Sequence, residues 1–319
     1  MDALHRIRTA TSQTQPMFSI AHLSDVHLGP LPAGRFPDFF GKRLIGYGSW
    51  MFRRKGAHDP AIAEAMIADI RAHAPDHVAL TGDLVNIALP AEFPRAAAWL
   101  KGFGKPDWIS VTPGNHDAYV PLSWDAGIGH WADYLAGDMR FPVARGNGNV
   151  DTPMPFVRQR RNFALIGLSS AVPQNWRKAG GSLGAEQIAA LASVLKALRD
   201  RGFCRIVMIH HPPLPGQNIP RKALTDAAEL EGVLASAGAE LVLHGHNHRF
   251  MRADIGKTQI HGVPSATSRG NAPWQPAGWT LHRIERRDSE WRITSFSRIW
   301  DQAAQGFKPY ELEQVMAGG

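Results

Sequence analysis

Residues Leu241 to His248 read LVLHGHNH. Three aliphatic residues and then His244, Gly245, His246, Asn247 and His248 describe an apolar β-strand whose far end delivers imidazoles spaced two apart. The chain holds 15 histidines in 319 residues, so one such cluster can arise by chance. Other strands decide the matter. FSIAHLSD (Phe18 to Asp25) runs into Val26 and His27, and HVALTGD ends on Gly82 and Asp83. WISVTPGNHD ends on Gly114, Asn115, His116 and Asp117, and RIVMIHH ends on His210 and His211 before two prolines. Each polar block follows an apolar run, and open α/β sheets gather ligand-binding groups at strand carboxyl ends.

Taken singly, a Gly-Asp pair after a strand is usually a turn, and Asp-x-His is only a little more specific. His22, His244 and His261 read as core histidines or as residues supporting the ligands from behind, and His211 as a structural or substrate-side residue. Five blocks in this order are another matter. The two-residue spacing of Asp25 and His27 predicts both side chains on one side of an extended segment, and His246 and His248 repeat the device. Gly82, Gly114 and Gly245 would let the backbone turn sharply or approach a ligand closely.

The bulk numbers narrow the chemistry. A hydrophobic fraction of 44% suits a globular chain with a substantial core. No apolar run approaches the ~18–20 residues of a membrane span. The opening MDALHRIRTATSQTQP has no apolar h-region and does not read as a signal peptide. Cys204 is the one cysteine, which rules out an internal disulfide and a thiolate cluster and suits a reducing cytoplasm. Any metal must then be held by His, Asp, Glu or Asn. The net charge of +7 favours anionic partners.

Between the strands, DPAIAEAMIADIRAHAP predicts a helix with Asp59 as N-cap, Pro60 at its first position and a stripe at Ile62, Met66 and Ile70. GAEQIAALASVLKALRDRG predicts a second helix, with Ile188, Leu191, Leu195 and Leu198 on one face. FALIGLSS is a further strand. After His248, TQIHGVPS, GWTLHRIERR and EWRITSFSRIW predict successive antiparallel strands. The expected architecture is α/β: two facing mixed sheets flanked by helices, in one domain over 1–300, with a polar tail at 301–319.

The block order DxH, GD, GNH(D/E), H, GHxH resembles the calcineurin-like metallophosphoesterase superfamily over residues 18 to about 265. The resemblance implies a four-layer α/β/β/α sandwich holding two divalent ions at one rim. By it, Asp25, His27 and His248 bind one ion, Asn115, His210 and His246 the other, and Asp83 bridges both. His210 is preferred to His211 because the family's ligand precedes a proline by two residues. The implied reaction is phosphodiester or pyrophosphate hydrolysis by attack of a hydroxide bridging the ions, and paired divalent ions suit such chemistry. Imidazole, carboxylate and amide oxygen together favour Mn, Fe or Zn over Ca or Mg. Asn86 stands where the purple acid phosphatase branch carries a tyrosine ligand. His116, outside the ligand set, is assigned to protonate the leaving group or stabilise phosphoryl charge, with Asp117 fixing its imidazole. Narrower alternatives are a lipid-linked pyrophosphatase of the UDP-diacylglucosamine type and a cyclic nucleotide phosphodiesterase. A non-catalytic scaffold, as in the retromer subunit on this fold, would be expected to lose ligands that this chain keeps.

An insert at 31–58 sets six basic residues (Arg35, Lys42, Arg43, Arg53, Arg54, Lys55) against one acid, Asp38, and so carries +5 of the +7. Phe40, Leu44, Tyr47 and Met51 fall at helical spacing. One reading packs these aromatics on the sandwich as a lid. A second lays them on an anionic membrane surface. A nucleic-acid groove is the weakest, since no recognised module accompanies it.

Overall fold

The computed structural model describes residues 17–34, 36–54, 56–141, 144–145, 150–270 and 275–311. The N-terminal stretch 1–16, Arg35, Lys55 and the tail end 312–319 lie outside the described residues, as do the side chains of Arg53 and Arg54. Along the chain run β1 (Phe18–Leu23), α1 (Lys42–Ser49), α2 (Pro60–Ala72), β2 (His77–Leu80), α3 (Glu92–Phe103), β3 (Ile109–Val111), β4 (Ala144–Arg145) and β5 (Pro153–Met154). Next come β6 (Phe156–Arg160), β7 (Phe163–Gly167), α4 (Ala185–Asp200), β8 (Cys204–Met208), α5 (Ala227–Ala237) and β9 (Leu241–His244). Five strands close the order: β10 (Met251–Ile255), β11 (Thr258–Gly262), β12 (Gly278–Arg287), β13 (Glu290–Asp301) and β14 (Gly306–Tyr310).

Alternation along these strands divides the core into layers. In β1, Phe18 and Ile20 enter one apolar cluster, while Ala21 and Leu23 enter another, as the period of two requires. β8 does the same with Cys204, Ile206 and Met208 on one side and Val207 on the other. The shared cluster lies between two six-stranded sheets, ordered β14-β13-β12-β1-β2-β3 and β10-β11-β9-β8-β7-β6. Outside the first sheet, α2 and α3 supply Ile62, Met66, Ile70, Phe93 and Leu100. Outside the second, α4 and α5 supply Leu191, Leu195, Leu198, Leu230 and Leu234. The result is the expected four-layer sandwich of mixed sheets.

The predicted N-cap is present: the Asp59 carboxylate accepts from Ala61 N at 2.9 Å. Three details differ from expectation. TQIHGVPS pairs parallel with β9, and its antiparallel neighbour is β10, which sequence reading passed over. Residues 306–310 are no tail, for β14 pairs with β13 at the sheet edge. α3 and α5 were also not foreseen; Pro94 sits in the first turn of one, where its missing N–H is tolerated, and Gly232, a weak helix former, lies inside the other.

The insert forms α1 followed by a π-helical turn at Trp50–Arg54. Its predicted stripe is split, with Tyr47 and Met51 half-buried. Phe40 is 64% and Leu44 61% exposed, while Gly46 and Trp50 are buried. Gly46 makes this roll possible, because a Cβ there would meet Tyr119 and Ile87.

Toward the carboxyl end of β1 the interlayer turns polar. His22, His261 and His282 are buried there with Thr280 and Ser297. The His22 and His282 rings lie 6.1 Å apart, and those of His261 and His282 5.0 Å apart.

Candidate metal centre

Backbone hydrogen bonds tie the loops of the rim together before any side chain is considered. Asp25 N donates to Gly82 O, and His27 N to Asp83 O, both at 2.9 Å. Gly245 N donates to His210 O at 3.0 Å. Two glycines permit this approach. A Cβ on Gly114 would strike the Asp83 carboxylate, and one on Gly245 would strike Ser24 and Asp25.

The ligand-bearing segments are not extended, contrary to the sequence expectation. Asp25, His27, Asp83, His246 and His248 have φ of 55°, 44°, 56°, 68° and 51°. Each left-handed non-glycine residue costs roughly 1–2 kcal/mol. Five at one rim mark strain held by the surrounding bonds, a pattern concentrated at functional sites. Alternate left-handed residues, rather than strand pleating, turn both members of each pair inward.

The seven predicted ligands converge. Asp25 and Asp83 are both at most 1% exposed, and one carboxylate oxygen of each lies within 4.8 Å of the other and of a His210 nitrogen. Asp83 Oδ2 is 3.4 Å from His210 Nε2 and 3.8 Å from His27 Nε2, so a single carboxylate faces both imidazole groups. His248 Nε2 is 3.1 Å from Asp25 Oδ1. Asn115 Oδ1 is 3.1 Å from His210 Nε2, and the His210 and His246 rings are 5.1 Å apart.

Backbone carbonyls decide which nitrogens point inward. A carbonyl only accepts, so His27 Nδ1 donates to Val85 O at 3.2 Å and His210 Nδ1 to Thr81 O at 2.7 Å. In the neutral rings, Nε2 is then a lone pair directed at the carboxylates. His246 Nε2 donates to Lys222 O at 3.0 Å, which leaves Nδ1 as its lone pair. His27 Nε2 also lies 3.4 Å from His248 Nε2. Among the described residues no donor meets the buried Asp25 Oδ1 in hydrogen-bond geometry, although His248 Nε2 lies 3.1 Å away.

Buried carboxylates and converging lone pairs require positive charge between them. Burial works against protonation of His210, but Asp83 outweighs it and raises the imidazole to about 9. The donor set therefore fits divalent cations, whose binding would replace that proton. His211 does not join them: Nε2 donates to Ala179 O at 3.2 Å, and Nδ1 takes the Ser170 hydroxyl at 2.8 Å.

His116 stands at the mouth, with a nitrogen within 4.8 Å of ligand atoms of His27 and Asp83. Its Nδ1 donates to the Asn86 carbonyl, and its backbone N donates to Asp83 Oδ1 at 2.7 Å. The expected partner, Asp117, is engaged elsewhere. Its carboxylate takes the backbone amides of Asp83, Leu84 and Gly114 at 2.9 Å and of Val85 at 3.2 Å. Burial and the Asp83 charge push its carboxyl up to about 7, against amide bonds that favour the charged form. Asp117 thus shapes the loop carrying Asp83, and Asn86 orients the imidazole.

Sequence reading missed three contributors. Glu92, 3% exposed, receives the amides of Asn86, Ile87 and Leu89 at 2.7, 3.2 and 2.8 Å and so holds the loop behind His116. Its only signal was an acid at the start of a helix that itself went unseen. The Asn86 carbonyl carried no sequence signal. His58 packs 4.8 Å from the His27 ring and hydrogen-bonds Thr267 Oγ1 at 2.8 Å; no ligand spacing in the chain announces it.

The profile described as Calcineurin-like phosphoesterase matches residues 18–250. A probable cyclic nucleotide phosphodiesterase of Synechococcus is 27% identical over 233 residues, spanning 72% of this chain and 80% of that protein. Among solved structures, a dimetal phosphatase from Danio rerio superposes with a TM-score of 0.58 at 14% identity, covering 88% of this chain and 99% of the other. A purple acid phosphatase from yellow lupin gives 0.52 at 13% identity, covering 93% and 53%. These structural likenesses establish the fold, and the profile, spanning the strand-end blocks from Asp25 to His248, establishes the family. The chain belongs to the calcineurin-like phosphoesterases, metal-dependent hydrolases of phosphoesters.

Proposed function

We propose that the chain cleaves a phosphodiester or pyrophosphate bond. Asp25, His27 and His248 would hold one divalent ion, Asn115, His210 and His246 the other, and Asp83 would serve both. The carrying observation is the set of imidazoles whose outward nitrogens are tied to carbonyls while their lone pairs meet two buried carboxylates. When bound, the two ions (Mn, Fe or Zn) acidify water and neutralise phosphoryl oxygens. His116, oriented by Asn86, gives a proton to the departing oxygen. The cyclic nucleotide reading draws on the description of the Synechococcus relative. Turnover of bis(p-nitrophenyl) phosphate with added Mn²⁺, abolished by a chelator, tests the proposal; no turnover under any divalent ion would favour a scaffold.

A second reading concerns location. We propose that residues 31–58 rest on an anionic membrane surface from the cytoplasmic side, as a lipid-linked pyrophosphatase would require. Phe40, Leu44, Ile45 and Phe52 are 64%, 61%, 49% and 88% exposed on a segment of net charge +5, the pattern of interfacial helices. Among the described residues no helix is long and apolar enough to cross a membrane. The protein should sediment with vesicles containing anionic phospholipid at low salt, and changing Arg53, Arg54 and Lys55 to Gln should weaken this by ~1 kcal/mol per charge. Equal partition to neutral and anionic vesicles would reject it.

A further inference from the structure

Beside the metal centre lies a second groove, of 220 Å³, that shares Asn115, His116 and Ala179 with the 130 Å³ cavity over the ligands. The two are therefore continuous across His116. Four cations line the second groove, Lys42 from α1, Arg177 and Lys178 from the loop after β7, and Arg221. No Asp or Glu is among its described lining residues.

Aromatic faces hold two of these cations in place. Lys42 Nζ sits 4.0 Å from the centre of the Tyr119 ring, and that ring stacks on His116 with 5.6 Å between centroids. The Arg177 guanidinium lies 4.2 Å over Trp176. A ring face attracts a cation without using its N–H donors, so the donors stay available to a ligand. Of the four cations, Arg177, Lys178 and Arg221 are exposed. Lys42 instead is partly buried, and desolvation lowers its ammonium to about 8, a cost that an anion would relieve.

We infer that this groove is a second-phosphate subsite, which takes a phosphate bonded to the reacting one on the His116 side. The substrate would then be an organic diphosphate, and the bond cleaved would join two phosphoryl groups. In that cleavage a water oxygen bonds to the phosphorus at the metal centre, the bond to the bridging oxygen breaks, and its electron pair leaves on the second phosphate. The water's protons end on the two phosphate products or in solvent. Lys42, Arg177 and Arg221 bear the charge of the departing group, which a cyclic diester would not place there. This deepens the reading of the centre as phosphoester-cleaving and rests on it.

The test compares two substrates that differ by one phosphoryl group, the p-nitrophenyl esters of thymidine monophosphate and thymidine diphosphate, with nucleotide release followed by chromatography. With Mn²⁺ the diphosphate should be preferred by at least roughly tenfold in kcat/KM, as expected for charge-assisted bonds. Lys42→Met and Arg177→Gln should each lower that preference by about tenfold, chiefly through KM, and Lys42→Arg should restore it. A second readout needs no metal: α,β-methylene-ADP should raise the melting temperature of metal-free protein more than AMP does, and Lys42→Met should erase the difference. Equal kcat/KM on both esters, equal losses on both in the variants, or equal melting shifts would overturn the subsite. Failure to hydrolyse either ester would instead count against the hydrolase reading, with the melting shifts still judging the groove.

Discussion

At the rim, His27 and His210 each give one N–H to a backbone carbonyl and aim the other nitrogen at Asp25 and Asp83. In the interlayer beneath, His22 meets Thr81 Oγ1 at 3.0 Å and His282 meets Ser295 Oγ at 2.8 Å. The remaining nitrogens of those two rings, His22 Nδ1 and His282 Nε2, find no hydrogen-bond partner among the described residues. Both regions bury imidazole completely or nearly so. They differ in what faces it. A carboxylate pair turns buried histidines into a cation site, whereas hydroxyls and neighbouring imidazoles leave them neutral core residues. Burial of histidine alone therefore does not mark a metal centre; the partner across from the lone pair does.

The sharpest way to break this contrast is to remove the carboxylate that both imidazole groups share. Asp83→Asn should strip both ions and bring turnover of bis(p-nitrophenyl) phosphate to that of metal-free protein, measured beside metal content by mass spectrometry. Two tightly held metals and near-normal turnover would show that Asp83 is not the bridge.

Next in size is His116, which shares the rim but not the ligand set. His116→Ala should keep its metals and lower turnover by roughly 10²–10⁴, with a smaller loss on esters of good leaving groups. Metal loss in this variant would move His116 into the ligand set.

The smallest effect belongs to the interlayer. Burial, with Arg252 and His244 adding to it, lowers His261 from its ordinary 6.5 to about 3. A histidine held neutral in the fold costs nothing above 6.5, and the unfolded chain gains from protonation as pH falls from there toward 3. Metal-free His261→Gln should thus gain stability relative to wild type as the pH drops, on the order of 2 kcal/mol near pH 4.5, read as a relative rise in melting temperature. Turnover and metal content at pH 8 should stay as in wild type. A gap independent of pH would mean that His261 is protonated in the fold or solvated.

Much of the molecule was legible in the residues because its signals are local. Aliphatic runs ended by His, Asp and Asn announced β1, β2, β3, β8 and β9 and the ligand pairs at their ends. Asp59 and Pro60 announced α2, and the spacing of Ile188, Leu191, Leu195 and Leu198 announced α4. The order of the polar blocks carried the resemblance to the metallophosphoesterase superfamily, and that resemblance named the seven converging side chains; residue type alone left His210 and His211 as alternatives.

Tertiary structure decided what depends on partners distant in sequence. Asp25 and His27 reach inward through left-handed backbone, a conformation stabilised by bonds to the loop at Gly82 and Asp83 that no local pattern encodes. The carbonyls of Val85, Thr81 and Asn86 choose the lone pairs of His27 and His210 and the pose of His116, yet a carbonyl belongs to every residue and leaves no trace in sequence. Glu92 and His58 matter only because the chain brings them behind the rim. The insert is the clearest case: its helical periodicity was readable, but which face turns to water was set by Gly46 fitting against Ile87 and Tyr119. Periodicity fixes which side chains share a face, and only the contact surface fixes where that face points.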